Sequence, residues 1–535
     1  MAQTCDADEN VAFIEKRAGR MEIYMKKILH LIFGRFFVVA MAIILQVLWL
    51  CVVLWQLSYK FTYVNLLVRV IAIIVVLVIV NKWTNPANKL SWTFLILLSP
   101  IFGLMVYFLF GRSGLTKHTR ERMDAVNRQV EALFQRDSAV EKGLEKESRS
   151  AYLQSSYIDK WAGFPLYQNT QTKYYSCGEE MFPDMLEALR GAKHFIFLEY
   201  FIIEEGYMFN TILDILEEKA KAGVDVRFIY DDVGSINSIS FGYYKKLQER
   251  GIPCVTFNPF KPLISVVMNN RDHRKIFVVD GYIGFTGGIN LADEYINKVK
   301  RFGYWKDTGV RIEGEAVWSL TAMFLEMWNY INHSSEDYKQ FMPQVYQKEP
   351  FEGDGFVQPY GDTPLDHETV GENIYLNIIN HAERYVYIFT PYLIIDNEML
   401  VSLCNAAKRG VDVRIVTPGI PDKKMIFLLT QSHYEPLLKC GVKIYQYTPG
   451  FIHAKSFLCD DKIGTVGSIN LDYRSLFLHF ECGVFMYKTK ALMQLKEDCM
   501  DTFAASEEMT LEFCRGQNVF IRIFQGMMRL FAPLL

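Results

Sequence analysis

The chain has 535 residues, half of them hydrophobic, with 57 Lys+Arg against 60 Asp+Glu and a net charge of −3. Its length exceeds one ordinary domain, and the near-balanced charge excludes a broadly basic nucleic-acid binder. The ten cysteines are scattered from Cys5 to Cys514 with no C-x-x-C pair, so neither a disulfide framework nor a zinc-ligand set is expected.

The first 35 residues are polar and turn basic toward their end, at Lys16, Arg17, Arg20, Lys26, Lys27 and Arg35. Residues 36–57 then carry no charge over 22 positions, enough to cross a hydrocarbon core of about 30 Å. A second apolar run covers 64–80, with Arg69 near its start able to snorkel to the interface; its competing reading is a buried helix. A third covers 90–110 and holds Pro100 and Gly103, both tolerated in membrane helices. These runs are too long and too often repeated for a cleaved signal peptide. Residues 1–111 are therefore expected to form a multi-pass cell-membrane region of two or three transmembrane helices. The basic flank before residue 36 places the N-terminus inside. Three spans would put the remainder outside, with Lys82 and Lys89 in an inner loop, whereas Arg112, Lys117, Arg120 and Arg122 favour an inner location. Two spans reconcile both basic ends. Residues 112–151 are densely charged and dotted with Leu115, Val126, Val130, Leu133 and Val140, the pattern of a solvated helical connector.

From about residue 152, short apolar strands alternate with helical stretches, as in α/β units. The pattern is duplicated. IFLEYFIIEE at 196–205 matches IFTPYLIIDN at 388–397, and GVDVR occurs at 223–227 and again at 410–414. The strongest repeat sets His273, Lys275 and Asp280 in an H-x-K-x-x-x-x-D spacing followed by Gly287, Gly288 and Asn290. His453, Lys455, Asp460, Gly467, Ser468 and Asn470 repeat it at a constant offset of 180. His and Lys two residues apart share one face of a strand. Two such copies facing each other place an imidazole on either side of a phosphorus, with cations and amide or hydroxyl donors on its oxygens. That layout suits in-line phosphoryl transfer through a covalent intermediate. His194, His333, His367 and His433 lack the duplicated spacing and are read as ordinary core or surface residues. Glu199 and Tyr392 hold equivalent places in the early strands; a charge there calls for a partner in a cleft or for an edge position.

From residue 193 to 481 these motifs resemble the phospholipase D superfamily, the HKD enzymes, at every signature position of both copies. The resemblance implies a phosphohistidine intermediate with no metal or other cofactor. His273 would be the nucleophile, His453 the general acid, and Asp280 and Asp460 would support the histidines. Gly288 stands where the second copy has Ser468, which removes a hydroxyl contact to phosphate on that side. Glu481 in FLHFECGV resembles a family acidic position, and His479 stands where Asn is expected in cardiolipin synthases. The stretch NPANKLSWTFLILLSPIFGLMVYFLFGR, with the run before it, resembles the paired membrane helices that open bacterial cardiolipin synthases, making 36–57 an extra span. Near the C-terminus, Phe520, Ile523, Phe524, Met527, Leu530 and Phe531 share a helical face opposite Arg522, Gln525 and Arg529. This fits a membrane-surface helix or one docked on the protein core; the closing F-A-P-L-L also resembles that family.

The expected fold class is thus α/β, with duplicated phospholipase D-like halves sharing an active-site cleft, preceded by an N-terminal transmembrane helical region. The halves are placed at 152–332 and 374–516, with a linker at 333–373 and an amphipathic helix at 517–535. The resemblance implies phosphatidyl transfer between two phosphatidylglycerol molecules, giving cardiolipin and glycerol, with the lipid bilayer as partner and no nucleic acid. The alternative is another HKD phospholipid enzyme, hydrolysing the donor or using a different alcohol.

Overall fold

The computed structural model describes residues 62–111, 117–259, 270–334, 336–366 and 368–534, with isolated helical positions between 41 and 56. The N-terminal basic flank, Arg112 and His367 lie outside the described residues, as does most of the 36–57 run.

The first sheet is built from β1 (Thr170–Tyr175), β2 (Phe195–Tyr200), β3 (Asp225–Asp231), β4 (Cys254–Phe257), β6 (Lys275–Val279), β7 (Ile283–Gly287) and β9 (Gly309–Gly314). Two short strands stand apart from it, β5 (Arg271–Asp272) and β8 (Tyr304–Lys306). The second sheet contains β10 (Phe356–Asp362), β11 (Tyr385–Phe389), β12 (Asp412–Pro418), β13 (Lys443–Tyr447), β15 (Ser456–Cys459), β16 (Ile463–Gly467), β17 (His479–Tyr487) and β18 (Ser506–Glu508), with β14 (Gly450–Ile452) apart. The orders are β1-β9-β7-β6-β2-β3-β4 and β10-β17-β16-β15-β11-β12-β13-β18. Apart from β18 they are the same topology, so the repeat read in the motifs extends to the whole sheet. In both, a parallel central pair (β2–β3, β11–β12) adjoins an antiparallel partner from the motif strand. Strand β2 is buried along its whole length, which explains its near-continuous apolar run: central strands covered on both faces lose the polar alternation.

The two halves clasp each other reciprocally. β5, just before His273, pairs with the start of β17, and β14, just before His453, pairs with β8. Each half thus contributes the residues ahead of its histidine to a ribbon completed by the other half.

Two boundaries differ from expectation. The stretch 333–373 is not all linker, because β10 lies inside it as the edge strand equivalent to β1. Pro359 disguised it; proline is confined to sheet edges, where its missing N–H costs no ladder bond. The 112–151 stretch is helical but not merely solvated. Its helix Lys117–Glu131 lies along Val317–Asn332, and Met123, Val130 and Phe134 enter the main core.

At the N-terminal side, α1 (Thr62–Val80) has a mean hydropathy of 2.8 over its most apolar window and is 11% buried there. At 1.5 Å per residue its 19 residues extend about 28 Å, enough to span. The third apolar run does not form one span. It divides into α2 (Pro86–Leu98) and α3 (Pro100–Phe110) at Ser99, whose φ of −143° and ψ of 86° break the helical path. Trp92 and Tyr107 would stand about 22 Å apart on a straight helix, yet their ring centroids are 5.3 Å apart. Lys82 Nζ donates to the Tyr107 hydroxyl at 3.1 Å, so the chain returns to the level at which it left α1. The run is a helical hairpin, each arm too short to cross a bilayer. Gly103 permits the close approach: a Cβ there would lie 2.5 Å from Ile96 Cα.

The C-terminal helix α4 (Val519–Phe531) docks on the hairpin through its end. Ser91 Oγ donates to the Leu530 carbonyl at 2.6 Å, and Phe94 meets Phe531 edge-on. Its polar Gln525 faces the protein while Val519, Phe520, Ile523, Phe524 and Met527 are exposed. This is the reverse of a helix that docks by its apolar face.

Gly103→Ala is expected to force the hairpin arms apart at a cost of about 1–3 kcal/mol, read as a lower unfolding temperature of the detergent-solubilised protein. Gly191→Ala, where nothing stands within 4 Å of the added carbon, serves as the control and should leave it unchanged.

Candidate active site

The clasp between halves sets both histidines. His273 N donates to the Phe480 carbonyl at 2.9 Å, and His453 N donates to the Lys306 carbonyl at 2.7 Å. Each ring is then held by a carboxylate from the opposite half. His273 Nδ1 lies 2.9 Å from Glu481 Oε2, and His453 Nδ1 lies 2.6 Å from Asp307 Oδ2. A carboxylate on Nδ1 fixes the tautomer and leaves Nε2 to act as base or nucleophile. Burial, with the neighbouring lysines, holds the His273 imidazole well below its ordinary pKa and lowers His453 to about 4. Both rings therefore rest neutral at pH 7, with a free lone pair.

The sheet registers show that the two carboxylates are equivalent. Gly309 pairs with Gly287 and Gly483 with Gly467, and these partners are separated by the repeat offset of 180. Counting back two residues reaches Asp307 and Glu481; counting back four reaches Trp305 and His479. Each of the latter stands over its histidine, with centroid distances of 5.6 Å for Trp305–His453 and for His479–His273. Sequence reasoning found Glu481 and missed Asp307. The signal was present as acid-x-Gly-Val, DTGV at 307–310 and ECGV at 481–484.

Lys275 and Lys455 are each 1% exposed and lie behind the histidines, donating to the His273 and His453 carbonyls respectively. Lys455 Nζ also lies 2.8 Å from His453 Nδ1. Burial lowers Lys275 to about 8 and Lys455 to about 7. An arriving phosphate anion would favour their charged forms.

The motif aspartates do a different job from the expected one. Asp280 takes the backbone N–H groups of Lys193, His194 and Phe195 at 2.7–2.9 Å, and Asp460 takes those of Glu383, Arg384 and Tyr385 at 2.8–2.9 Å. Both sit at positive φ in the turn after the motif strand. Their carboxylates anchor the starts of β2 and β11, and through them the sheet neighbours of the motif strands. They do not hold the imidazoles.

Ser468 Oγ donates to Glu481, as does Ser475 Oγ, each at 2.5 Å, so Ser468 orients a carboxylate instead of facing the cleft. Gly288 has no hydroxyl for a steric reason: a Cβ there would meet Asp307 Oδ1 at 2.1 Å. Asn290 is occupied, accepting from Ile202 N at 3.0 Å and donating to the Tyr295 hydroxyl at 2.7 Å. Asn470 Oδ1 is buried with no hydrogen-bond partner among the described residues. Tyr392 reaches the cleft and donates to Asp422 at 2.7 Å. Glu199 does not reach it. On a central strand, neither at an edge nor beside a motif lysine, it pairs with Arg274 at 2.5 Å, and burial raises its pKa.

A cavity of about 560 Å³ gathers His273, His453, Asn290, Asn470, Tyr392 and Trp305 along its walls. His194, His333 and His433 line no part of it; His194, for example, lies against the Tyr346 ring. Of the two imidazoles on this cavity, each oriented from behind, one can attack a phosphorus with its lone pair, and the other, once a bound phosphodiester anion favours its protonated form, can give a proton on the opposite side.

Fold and site together define a duplicated phospholipase D-like enzyme. A family model described as cardiolipin synthase, PLD-like domain, matches residues 185–328 and 375–501, each stretch enclosing one histidine motif. Another, described as phospholipase D-nuclease N-terminal, matches residues 70–112. An uncharacterized protein of Streptococcus mutans is 44% identical over 461 residues, 86% of this chain and 99% of its own. Cardiolipin synthase 1 of Bacillus anthracis is 35% identical over 486 residues, 89% of this chain and 94% of its own. The crystal structure of a phosphatidylserine synthase from Haemophilus influenzae Rd KW20 superposes with a TM-score of 0.53 at 15% identity, covering 71% of this chain and 97% of that one. The chain belongs to the cardiolipin synthase family.

One donor atom from each of His273, His479 and Glu481 lies within 4.8 Å of the others, a set able to take one divalent ion. Such an ion would occupy the ring that phosphorus chemistry needs. Added zinc ion is therefore expected to inhibit reversibly, and His479→Ala to weaken that inhibition on the order of tenfold, or ~1.4 kcal/mol. Inhibition unchanged in the variant would place the ion elsewhere.

Proposed function

We propose that the chain transfers a phosphatidyl group between two phosphatidylglycerol molecules, forming cardiolipin and glycerol. The observation that carries this reading is the pair of imidazoles on one cavity, each held through Nδ1 by a carboxylate of the other half. His453 takes up a proton as the anionic phosphodiester binds; His273 attacks the donor phosphorus through Nε2, and the bond to the leaving glycerol oxygen breaks as His453 protonates it. The acceptor's terminal hydroxyl then gives its proton to His453 and attacks the phosphohistidine, restoring His273. Lys275 and Lys455, charged when the phosphodiester arrives, offset its negative charge from behind the rings. One phosphodiester replaces another, so the step needs neither nucleotide nor metal. The family places the nucleophile at His273, and its more elaborate support agrees: Glu481 is itself held by Ser468 and Ser475.

With phosphatidylglycerol alone, purified protein is expected to release cardiolipin and glycerol in equal amounts, and CDP-diacylglycerol should make no difference. His273→Ala and His453→Ala should abolish this, and Asp307→Asn should lower kcat by about 10²–10⁴-fold with little change in KM. Phosphatidic acid as the main product would point to the hydrolase alternative, and CMP release to a different reaction altogether.

The same reading places residues 1–111 in the membrane as a multi-pass region, with crossings at 36–57 and 62–80 and a re-entrant hairpin at 86–110. The halves take 152–332 and 374–516 with β10 added to the second, and 517–535 lies on the bilayer surface. The exposed apolar side of α4 and the full exposure of Trp83 between α1 and α2 support this arrangement. Two crossings return the chain to the side of its N-terminus, which keeps Lys82, Lys89 and the basic stretch after residue 111 inside, in accord with the positive-inside rule. Protease added to sealed spheroplasts should leave the catalytic halves intact and cut them only after lysis; cleavage in sealed cells would reverse the orientation.

A further inference from the structure

A second, larger cavity of about 1030 Å³ lies between the membrane-side turn and the catalytic halves. One wall is the α1–α2 turn and hairpin, including Lys82, Asn88, Lys89 and Trp92; the other runs through 362–369 and 473–479. Its volume is at the upper end of the ~300–1,000 Å³ typical of ligand pockets. It adjoins the catalytic cavity directly: Tyr473, Arg474 and His479 line both, and the C-terminal tail borders the catalytic one with Ala532 and the larger one with Pro533 and Leu534.

The walls are chemically divided. Lys82 and Lys89 stand at the membrane-facing side, donating to neutral oxygens, the Tyr107 hydroxyl and the Val80 carbonyl. Deeper in, Glu372 is raised to about 9, mainly by burial and then by Asp396, so it is protonated and donor-capable at pH 7. Asn85 Nδ2 donates to Asp396 at 2.8 Å. Trp92, Val106 and Phe110 form an apolar side. The amide and protonated carboxyl groups beside an apolar flank suit a glycerol backbone with its ester oxygens and the first carbons of its chains, and the two lysines stand at the entrance, where anionic headgroups arrive.

The threshold residue is His479. Its ring is 11% exposed, and among the described residues both buried nitrogens have no hydrogen-bond partner; Nδ1 stands 3.7 Å from Glu481, beyond bonding reach. An imidazole there offers a ring N–H and an acceptor nitrogen. Buried polar groups are ordinarily paired, and here the missing partner is on the path between the two cavities.

We propose that the larger cavity is a vestibule that holds the glycerol backbone and upper chains of the donor phospholipid, with His479 hydrogen-bonding a lipid oxygen where the phosphodiester passes to the histidines. The assignment to the donor rests on the proposed reaction. His479 and Glu481 flank His273, on which the phosphatidyl group remains, so its diacylglycerol arm extends to this side while leaving glycerol and incoming acceptor exchange near His453.

Asn88→Trp and Thr363→Trp fill the cavity without touching the site. Both are expected to cut turnover of long-chain phosphatidylglycerol in vesicles about tenfold or more, while turnover of a water-soluble dibutyryl phosphatidylglycerol stays within about twofold. Equal loss on both substrates, or no loss on either, would overturn the vestibule. A readout independent of turnover separates this from failure of the reaction itself. A photo-crosslinking residue at position 88 in His273→Ala protein should capture radiolabelled phosphatidylglycerol from vesicles saturably. Capture alongside a wild-type protein that makes no cardiolipin would sink the reaction and keep the vestibule; absence of saturable capture would remove the vestibule.

Discussion

Everything in the catalytic part depends on a crossed pair of contacts: Glu481 of the second half on His273 of the first, and Asp307 of the first on His453 of the second. Removing an ionised carboxylate from water is costly unless it is paired and hydrogen-bonded. Here both carboxylates are fully buried, and each finds its imidazole only across the interface. The β5–β17 and β8–β14 pairings make that meeting obligatory, because they dock the residues next to each histidine and each carboxylate in register. Neither half alone brings its carboxylate to a motif histidine or supplies the carboxylate that orients its own. The interface is therefore the site, and duplication is a condition of the chemistry.

That logic also sorts what the sequence made legible. The histidines and lysines were readable because a repeated local spacing encodes them. Asp280 and Asp460 were located by the same spacing but given the wrong task. Proximity along the chain suggested contact with the ring, whereas the turn that follows each motif strand aims the carboxylate at the backbone of β2 or β11. Asp307 was missed because its partner is 146 residues away, and only register in a folded sheet reveals that it matches Glu481. Glu199 misled for the opposite reason: its partner Arg274 sits between the motif's own His and Lys, where alternation along the chain turns it to the other side. β10 was hidden by Pro359 and by Gly- and Asp-rich flanks that resemble a linker.

The membrane side follows a similar rule. Composition correctly marked 90–110 as apolar but could not tell a crossing from a fold-back, since both bury the same residues in lipid or against each other. The decision rests on three small features: the extended backbone at Ser99, the missing side chain at Gly103 and the Trp92–Tyr107 contact. The polarity of α4 could likewise be counted from sequence, but not which face the protein would take. The fold buries Gln525 and leaves Phe520 and Phe524 exposed, the reverse of what docking by the apolar face requires.

The two halves have diverged most where equivalent positions meet the histidines. Trp305 is matched by His479, Asp307 by Glu481 and Gly288 by Ser468. These differences compensate one another. The shorter Asp307 packs against a glycine that cannot tolerate even a Cβ, while Glu481 has two serine hydroxyls to hold it. An aromatic wall that repels water over His453 becomes a polar ring over His273, the one that also borders the larger cavity. Two symmetric imidazoles would be equally good nucleophiles and equally good acids. With one ring behind tryptophan and the other beside histidine, the same pair of groups acquires two different environments, and the in-line displacement acquires a direction.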